Sequence, residues 1–155
     1  RADAGFGMNV RLYNRSTVDA TEHGTQMPEI SQVVGASEVV VLAVPATPQT
    51  HRLMNDERFA QMQSHAHLIN IARGDVVDEA ALVDALQSGQ IAGAGLDVYE
   101  CEPIVSEALL QMENVALLPH LGTAALEVRV DMGLMAVRNA AAHINGAPLP
   151  NPVLP

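Results

Sequence analysis

Four runs in this chain are apolar almost without interruption: "EVVVLAVP" (Glu38 to Pro45), "HLINIA" (His67 to Ala72), "IAGAGLDV" (Ile91 to Val98) and "NVALLP" (Asn114 to Pro119). A strand with one wet face alternates apolar and polar residues. A strand apolar throughout is expected to be buried on both faces, the condition of parallel sheets. Between the runs lie segments of helical character. "MPEISQVVGAS" carries Pro28 near its start, "DERFAQMQS" is short, and "DEAALVDALQSGQ" is amphipathic and closed by Gly89. Strands alternating with helices are βαβ units. The expected fold class is therefore α/β, a doubly wound parallel sheet. "NVRLYN" (Asn9 to Asn14) is a further strand, and a long helix is expected from about Ala124 to Ile144, ended by Asn145 and Gly146. The tail "APLPNPVLP" is too rich in proline for regular structure.

The remaining bounds come from composition. A chain of 155 residues fits one ordinary domain, and 48% hydrophobic residues can supply its core. Aromatics are only 3%, so the core must be built from Val, Leu, Ile, Ala and Met, with the seven methionines as filling. A formal charge of −10 argues against nucleic acid as the main partner, because phosphate binding needs a basic surface. The one cysteine, Cys101, allows no disulfide within the chain and suits a reducing compartment. It lies between Glu100 and Glu102, which disfavour the thiolate and a nucleophilic role. There is no signal peptide and no apolar run long enough to span a bilayer, so no membrane partner and a cytoplasmic location are expected.

In doubly wound sheets ligands bind beyond the carboxyl ends of the strands. The residues to inspect are Asn14-Arg15-Ser16, Val44 through Thr47, Ala72-Arg73-Gly74, Asp97 through Glu102, and Pro119 through Gly122. A single arginine or histidine at such a position is ordinarily a solvated surface residue. Arg, Asp, Glu and His gathered at one rim suggest chemistry.

These residues lie in motifs that resemble the D-isomer-specific 2-hydroxyacid dehydrogenases: "NIARGDVVDEAALVDALQSGQIAGAGLDVYECEP", then "LLPHLGTAALE", preceded by "VVVLAVPATPQTHRLMN". Thr123 and Ala125 stand where many members have Ser and Thr. The resemblance implies a Rossmann-like NAD(P)-binding domain and reduction of a small 2-oxoacid, such as glyoxylate or hydroxypyruvate, to a D-2-hydroxy acid. It implies a catalytic trio of Arg73, Glu102 and His120. A 2-oxoacid carboxylate calls for the planar fork of an arginine. Hydride delivery leaves an alkoxide that needs a proton, which His120 can give near neutral pH. Glu102 can bond the other ring nitrogen and favour the imidazolium. Gly74 is expected to permit a tight turn after Arg73. The resemblance also places Asp97 on the nicotinamide carboxamide, Ala72, Arg73, His120 and Gly122 beside the nicotinamide, and Val44, Pro45 and Thr50 near the adenosine. Asn14, Arg15 and Ser16 stand where an acidic residue would accept the ribose hydroxyls of NAD. Their lack of negative charge favours NADPH, although Arg15 stacked on adenine would serve either cofactor. No metal ligand set is expected. His23, His51, His65, His67 and His143 match no catalytic motif.

Members of that family are about twice this length and usually dimeric. No G-x-G-x-x-G turn occurs here, and "RADAGFGMNV" looks like the end of the helix that follows it. The chain therefore reads as the carboxyl-terminal half of a dehydrogenase, inactive alone. Residues 1–123 are expected to form the partial dinucleotide-binding domain, and 124–155 a helix and tail that pack back on a substrate domain. Counting "NVRLYN" as the second strand and "HLINIA" as the fourth, each is expected to lack its central neighbour. Competing readings are a dinucleotide-sensing, corepressor-like binding protein, a non-catalytic assembly partner, and phosphoglycerate dehydrogenase. Formate dehydrogenase fits less well, because that branch has Gln where this chain has Glu102.

Overall fold

The computed structural model describes residues 5–18 and 24–152. They form two compact units, divided between Pro119 and His120. His23 and residues 1–4 of "RADAGFGMNV" lie outside the described residues.

The first unit holds two parallel sheets. In the smaller, β1 (Arg11–Leu12) pairs with β2 (Thr25–Gln26). The larger has the order β3 (Val39–Leu42), β4 (His67–Asn70), β5 (Gly93–Leu96), β6 (Val115–Leu117). Its register aligns Val41 with Ile69, Ile69 with Gly95, and Gly95 with Ala116. Helix α1 (Ile30–Val34) precedes β3, and α2 (Asp56–Phe59), α3 (Glu79–Gln87) and α4 (Glu107–Leu110) fill the three crossovers. This is the α/β, Rossmann-like architecture expected from the sequence.

Local chemistry starts and stops these helices. Asn55 caps α2 by accepting from the Arg58 N–H, and Asp78 caps α3 by accepting from the Ala81 N–H. Helix α3 buries Ala81, Leu82, Ala85 and Leu86, one stripe at helical spacing. Gly89 follows it with φ +69, which suits glycine. The stripe meets Leu68, Leu96, Phe59, Met54 and Ile91 in one core.

Two expectations need correction. Val40 and Leu42 are 4% and 5% exposed, but Val39 and Val41 are 41% and 53% exposed. The strand is buried on one face only. Right-handed crossovers between successive neighbours place α2, α3 and α4 on the same face, and the other face, with Val41 and Ile71, stays open. The second correction concerns the strand with a missing neighbour. "HLINIA" is paired on both sides, with β3 and β5. In the four-stranded sheet the free inner edge belongs to β3, "EVVVLAVP". The strand count slipped because β2 is two polar residues, "TQ", with no hydrophobic pattern to reveal it. Helix α4, a single turn of four residues, was also not read from the sequence.

The second unit is α5 (Leu126–Ile144) with its tail. Asn145 and Gly146 end the helix, the glycine at φ +63. The tail returns along it: the Asn139 side-chain carbonyl accepts from the Asn151 N–H at 3.1 Å. None of the helix residues is buried. Met132 and Met135 are 52% and 47% exposed and Met8 is 44% exposed, so these are not core filling, whereas Met54 and Met62 are.

Candidate active site

Arg73 follows β4 in extended backbone, φ −147 and ψ 153. The turn that presents it is held by Asn70, a buried polar residue at the strand end. Asn70 Nδ2 donates to the Arg73 carbonyl at 3.0 Å, and its Oδ1 accepts from the Ala72 N–H at 3.0 Å. Both ends of the amide are satisfied, as burial demands. Ala72 is buried beneath the rim, and the Arg73 side chain is exposed, with Nη1 donating to the Ala72 carbonyl at 2.7 Å.

Gly74 is required for a reason other than the one expected. Its backbone does not need a positive φ. A Cβ there would overlap the Tyr99 carbonyl and the Glu100 amide. The glycine lets the loop after β4 pack directly against the loop after β5.

That second loop carries Asp97 and Glu102. The Asp97 N–H donates to the Asn70 carbonyl at 3.0 Å, so Asn70 also anchors the half-buried start of the loop. Tyr99 is buried, and its N–H donates to Glu102 Oε1 at 3.1 Å. Its hydroxyl donates to the Leu118 carbonyl at 2.8 Å, with the Leu96 carbonyl at 3.3 Å as weaker second acceptor. Burial pushes the Tyr99 phenol above its ordinary pKa, against the opposing effect of the Leu118 bond. The two glutamates of "YECEP" differ. Glu100 accepts from Arg52 Nη2 at 3.0 Å, and exchanges bonds with Glu79, each carboxylate accepting the other's backbone N–H. Glu102 is exposed at the rim.

The remaining rim residues follow β3 and β1. Thr50 Oγ1 donates to the Pro45 carbonyl at 2.7 Å and accepts from the Thr47 N–H at 2.8 Å, bracing the loop that presents Val44 and Pro45. After β1, Asn14 Nδ2 donates to the carbonyl and hydroxyl oxygens of Ser16. Gln26 on β2 binds the Asn14 and Ser16 carbonyls, so this loop has a set shape around the exposed Arg15. The donors and acceptors suit a dinucleotide: amide and hydroxyl groups after β1, a mainly apolar wall after β3, and a carboxylate at Asp97.

The first unit thus brings Arg73, Asp97 and Glu102 onto adjoining loops. His120 and Gly122 belong to the second unit, where both are exposed. His120 has φ +54, the left-handed region, an arrangement that clusters at functional sites. Sequence patterning passed over Asn70, Tyr99 and Arg52. The available signal for Asn70 was a polar residue closing an otherwise apolar strand.

Comparison with known proteins agrees with this fold. The family profile "D-isomer specific 2-hydroxyacid dehydrogenase, NAD binding domain" matches residues 1–122. A glyoxylate reductase of Thermococcus kodakarensis is 45% identical over 148 residues, which is 94% of this chain and 44% of that protein. A glyoxylate/hydroxypyruvate reductase B of Escherichia fergusonii is 44% identical over 150 residues, 94% of this chain and 46% of its own. The chain spans about half the length of the curated relatives it matches. Among solved structures, an NADPH-dependent glyoxylate/hydroxypyruvate reductase of Sinorhizobium meliloti, in complex with NADP and malonate, superimposes with a TM-score of 0.93. The two share 38% identity over 97% of this chain and 47% of the other. With the family's NAD-binding domain profile matching residues 1–122, well over half of the chain, the chain belongs to the D-isomer-specific 2-hydroxyacid dehydrogenases.

Proposed function

We propose that the protein carrying this chain reduces a small 2-oxoacid, such as glyoxylate or hydroxypyruvate, to a D-2-hydroxy acid. The observation that carries the reading is Arg73, set at the end of β4 by a fully satisfied Asn70. An arginine fork held at a rigid strand end suits a planar carboxylate, which it binds through two parallel bonds. Nicotinamide dinucleotide supplies the hydride when bound. The chain's own residues do the rest. Arg73 fixes the carboxylate and so orients the ketone. His120 is the proton donor to the oxygen as the carbonyl is reduced, and Glu102 is the third member of the catalytic trio. Asp97 accepts from the carboxamide. Ala72 and Gly122 border the nicotinamide, and Val44, Pro45 and Thr50 border the adenosine. The cited relatives named for glyoxylate reduction support the substrate class.

NADPH is the preferred cofactor in this reading. Asn14, Arg15 and Ser16 put no negative charge where a 2′-phosphate would lie, and the structural neighbour is described as NADPH-dependent. In this reading the working protein is a homodimer, as family members usually are, and is cytoplasmic, a reducing compartment that a lone cysteine suits. Residues 124–155 pack on its substrate domain.

The test is turnover. The full-length protein should consume NADPH in the presence of glyoxylate, followed by the loss of nicotinamide absorbance. Binding of NADPH without turnover of glyoxylate or hydroxypyruvate would overturn the reading in favour of a sensing role. Arg15→Ala should raise KM for NADPH far more than for NADH. Equal effects would refute the phosphate contact.

A further inference from the structure

Arg52 sits in the left-handed region, φ +47, which side-chain-bearing residues rarely adopt. Glycine would occupy that position without strain. What the arginine contributes is visible in its partners. Its backbone N–H donates to the Asp75 carbonyl at 2.8 Å, and the next residues continue along the same loop: the Met54 N–H donates to Val76 O, and the Asp78 N–H to Met54 O. The guanidinium then spans two further elements. Nη1 lies 3.1 Å from Asp78 Oδ2 and Nη2 lies 3.0 Å from Glu100 Oε1. Glu100 is locked in turn by its reciprocal bonds with Glu79. Arg52 therefore joins three segments that follow β3, β4 and β5.

We propose that Arg52, through Asp78 and Glu100, is a positioning residue for the reaction proposed above: it fixes the loop that bears Glu102 against the loop that bears Arg73. The inference rests on that reading of the site. The two loops already touch where Gly74 meets Tyr99. The Asp97 N–H also bonds the Asn70 carbonyl, and Glu79 and Glu100 exchange bonds; the Arg52 pairs with Asp78 and Glu100 add a charged tie to this seam. The Tyr99 N–H that donates to Glu102 lies on the residue whose carbonyl meets Gly74, next to Glu100. Isolated pairs at this exposure add little to stability. Their planar geometry still fixes orientation, which lysine's flexible ammonium does not reproduce. The strained φ is thus retained for the placement of a side chain.

Arg52→Gly separates placement from folding, because it removes the pairs and relieves the backbone. In the full-length protein it should leave the melting temperature unchanged or raised. Amide exchange at Tyr99 and Glu100 should accelerate, and kcat/KM for glyoxylate should fall by about 10- to 100-fold, the scale of a misplaced catalytic group. The basic limb of the pH profile for reduction should move to lower pH, as expected when the Glu102 carboxylate is less firmly placed. Arg52→Lys should restore part of each effect. Wild-type amide exchange and an unmoved pH limb in Arg52→Gly would overturn the proposal. If the wild-type protein reduces no 2-oxoacid, the functional reading fails, and the exchange measurement alone decides whether Arg52 positions the loop.

Discussion

The four-stranded sheet with its crossover helices and the long helix α5 were equally legible as apolar patterns, yet they end in opposite environments. In the sheet region Leu68 and Leu109 are 0% exposed and Leu82 is 1% exposed. Along α5, Leu126, Val130, Leu134 and Val137 recur at helical spacing and are 44–76% exposed. The comparison teaches that periodicity reports which side of an element wants a partner, and says nothing of whether that partner lies in the same stretch of chain. The sheet finds its partner in α2, α3 and α4. The stripe of α5 calls for a surface that the described residues do not supply.

Substitutions can break this contrast. In the chain of Arg1–Pro155, Leu82→Ala should cost about 2–5 kcal/mol, the range for truncating a fully buried leucine. Leu134→Ala should cost less than about 0.5 kcal/mol, as surface changes do. Denaturant titration measures both, and similar costs would end the contrast. Gly74→Ala ranks next. A methyl forced against the Tyr99 carbonyl must displace one of the two loops, an overpacking cost of roughly 1–3 kcal/mol, and should depress activity along with stability. Wild-type melting and activity in that variant would show that the loops are not in fixed contact.

Tyr99→Phe is smaller, about 1 kcal/mol for the lost bond to Leu118. It also tests a pH dependence. Burial raises the Tyr99 pKa above its ordinary 10.0 in the folded state. Below that value both states keep the proton and the bond contributes fully. As pH rises above it, the unfolded chain ionises first, so stability is lost from about pH 10 upward. Denaturation curves between pH 8 and 11 should show this loss in the wild type and a shallower one in Tyr99→Phe. Parallel curves would remove Tyr99 as the source.

Much of the fold was legible because β3 through β6 are apolar and two of the helices between them, α2 and α3, carry side-chain caps. Asp78 and Gly89 mark the ends of α3 as the sequence suggested. The two polar residues of β2 carry no such signal, and missing them moved the gap in the sheet from β3 to β4. The open face of β3 was also illegible, because an unbroken apolar run does not tell which face a crossover will cover. At the candidate site, Arg73, Asp97, Glu102 and His120 were assigned from their motifs. Arg52 was not, because its meaning depends on Glu100, 48 residues away. Tyr99 was likewise hidden, since its hydroxyl reaches Leu118, 19 residues on. Such roles are created by folding and have no local pattern.

The central claim is that Arg73 is the carboxylate clamp of a 2-oxoacid reductase. The most direct test is kcat/KM for glyoxylate with NADPH, measured on the full-length protein and on its Arg73→Lys variant. Lysine keeps the charge and loses the fork. The loss of charge-assisted bonding, about 1.5–3 kcal/mol, should lower kcat/KM by roughly 10- to 100-fold, with NADPH affinity little changed. Equal kcat/KM in the two proteins would contradict the claim.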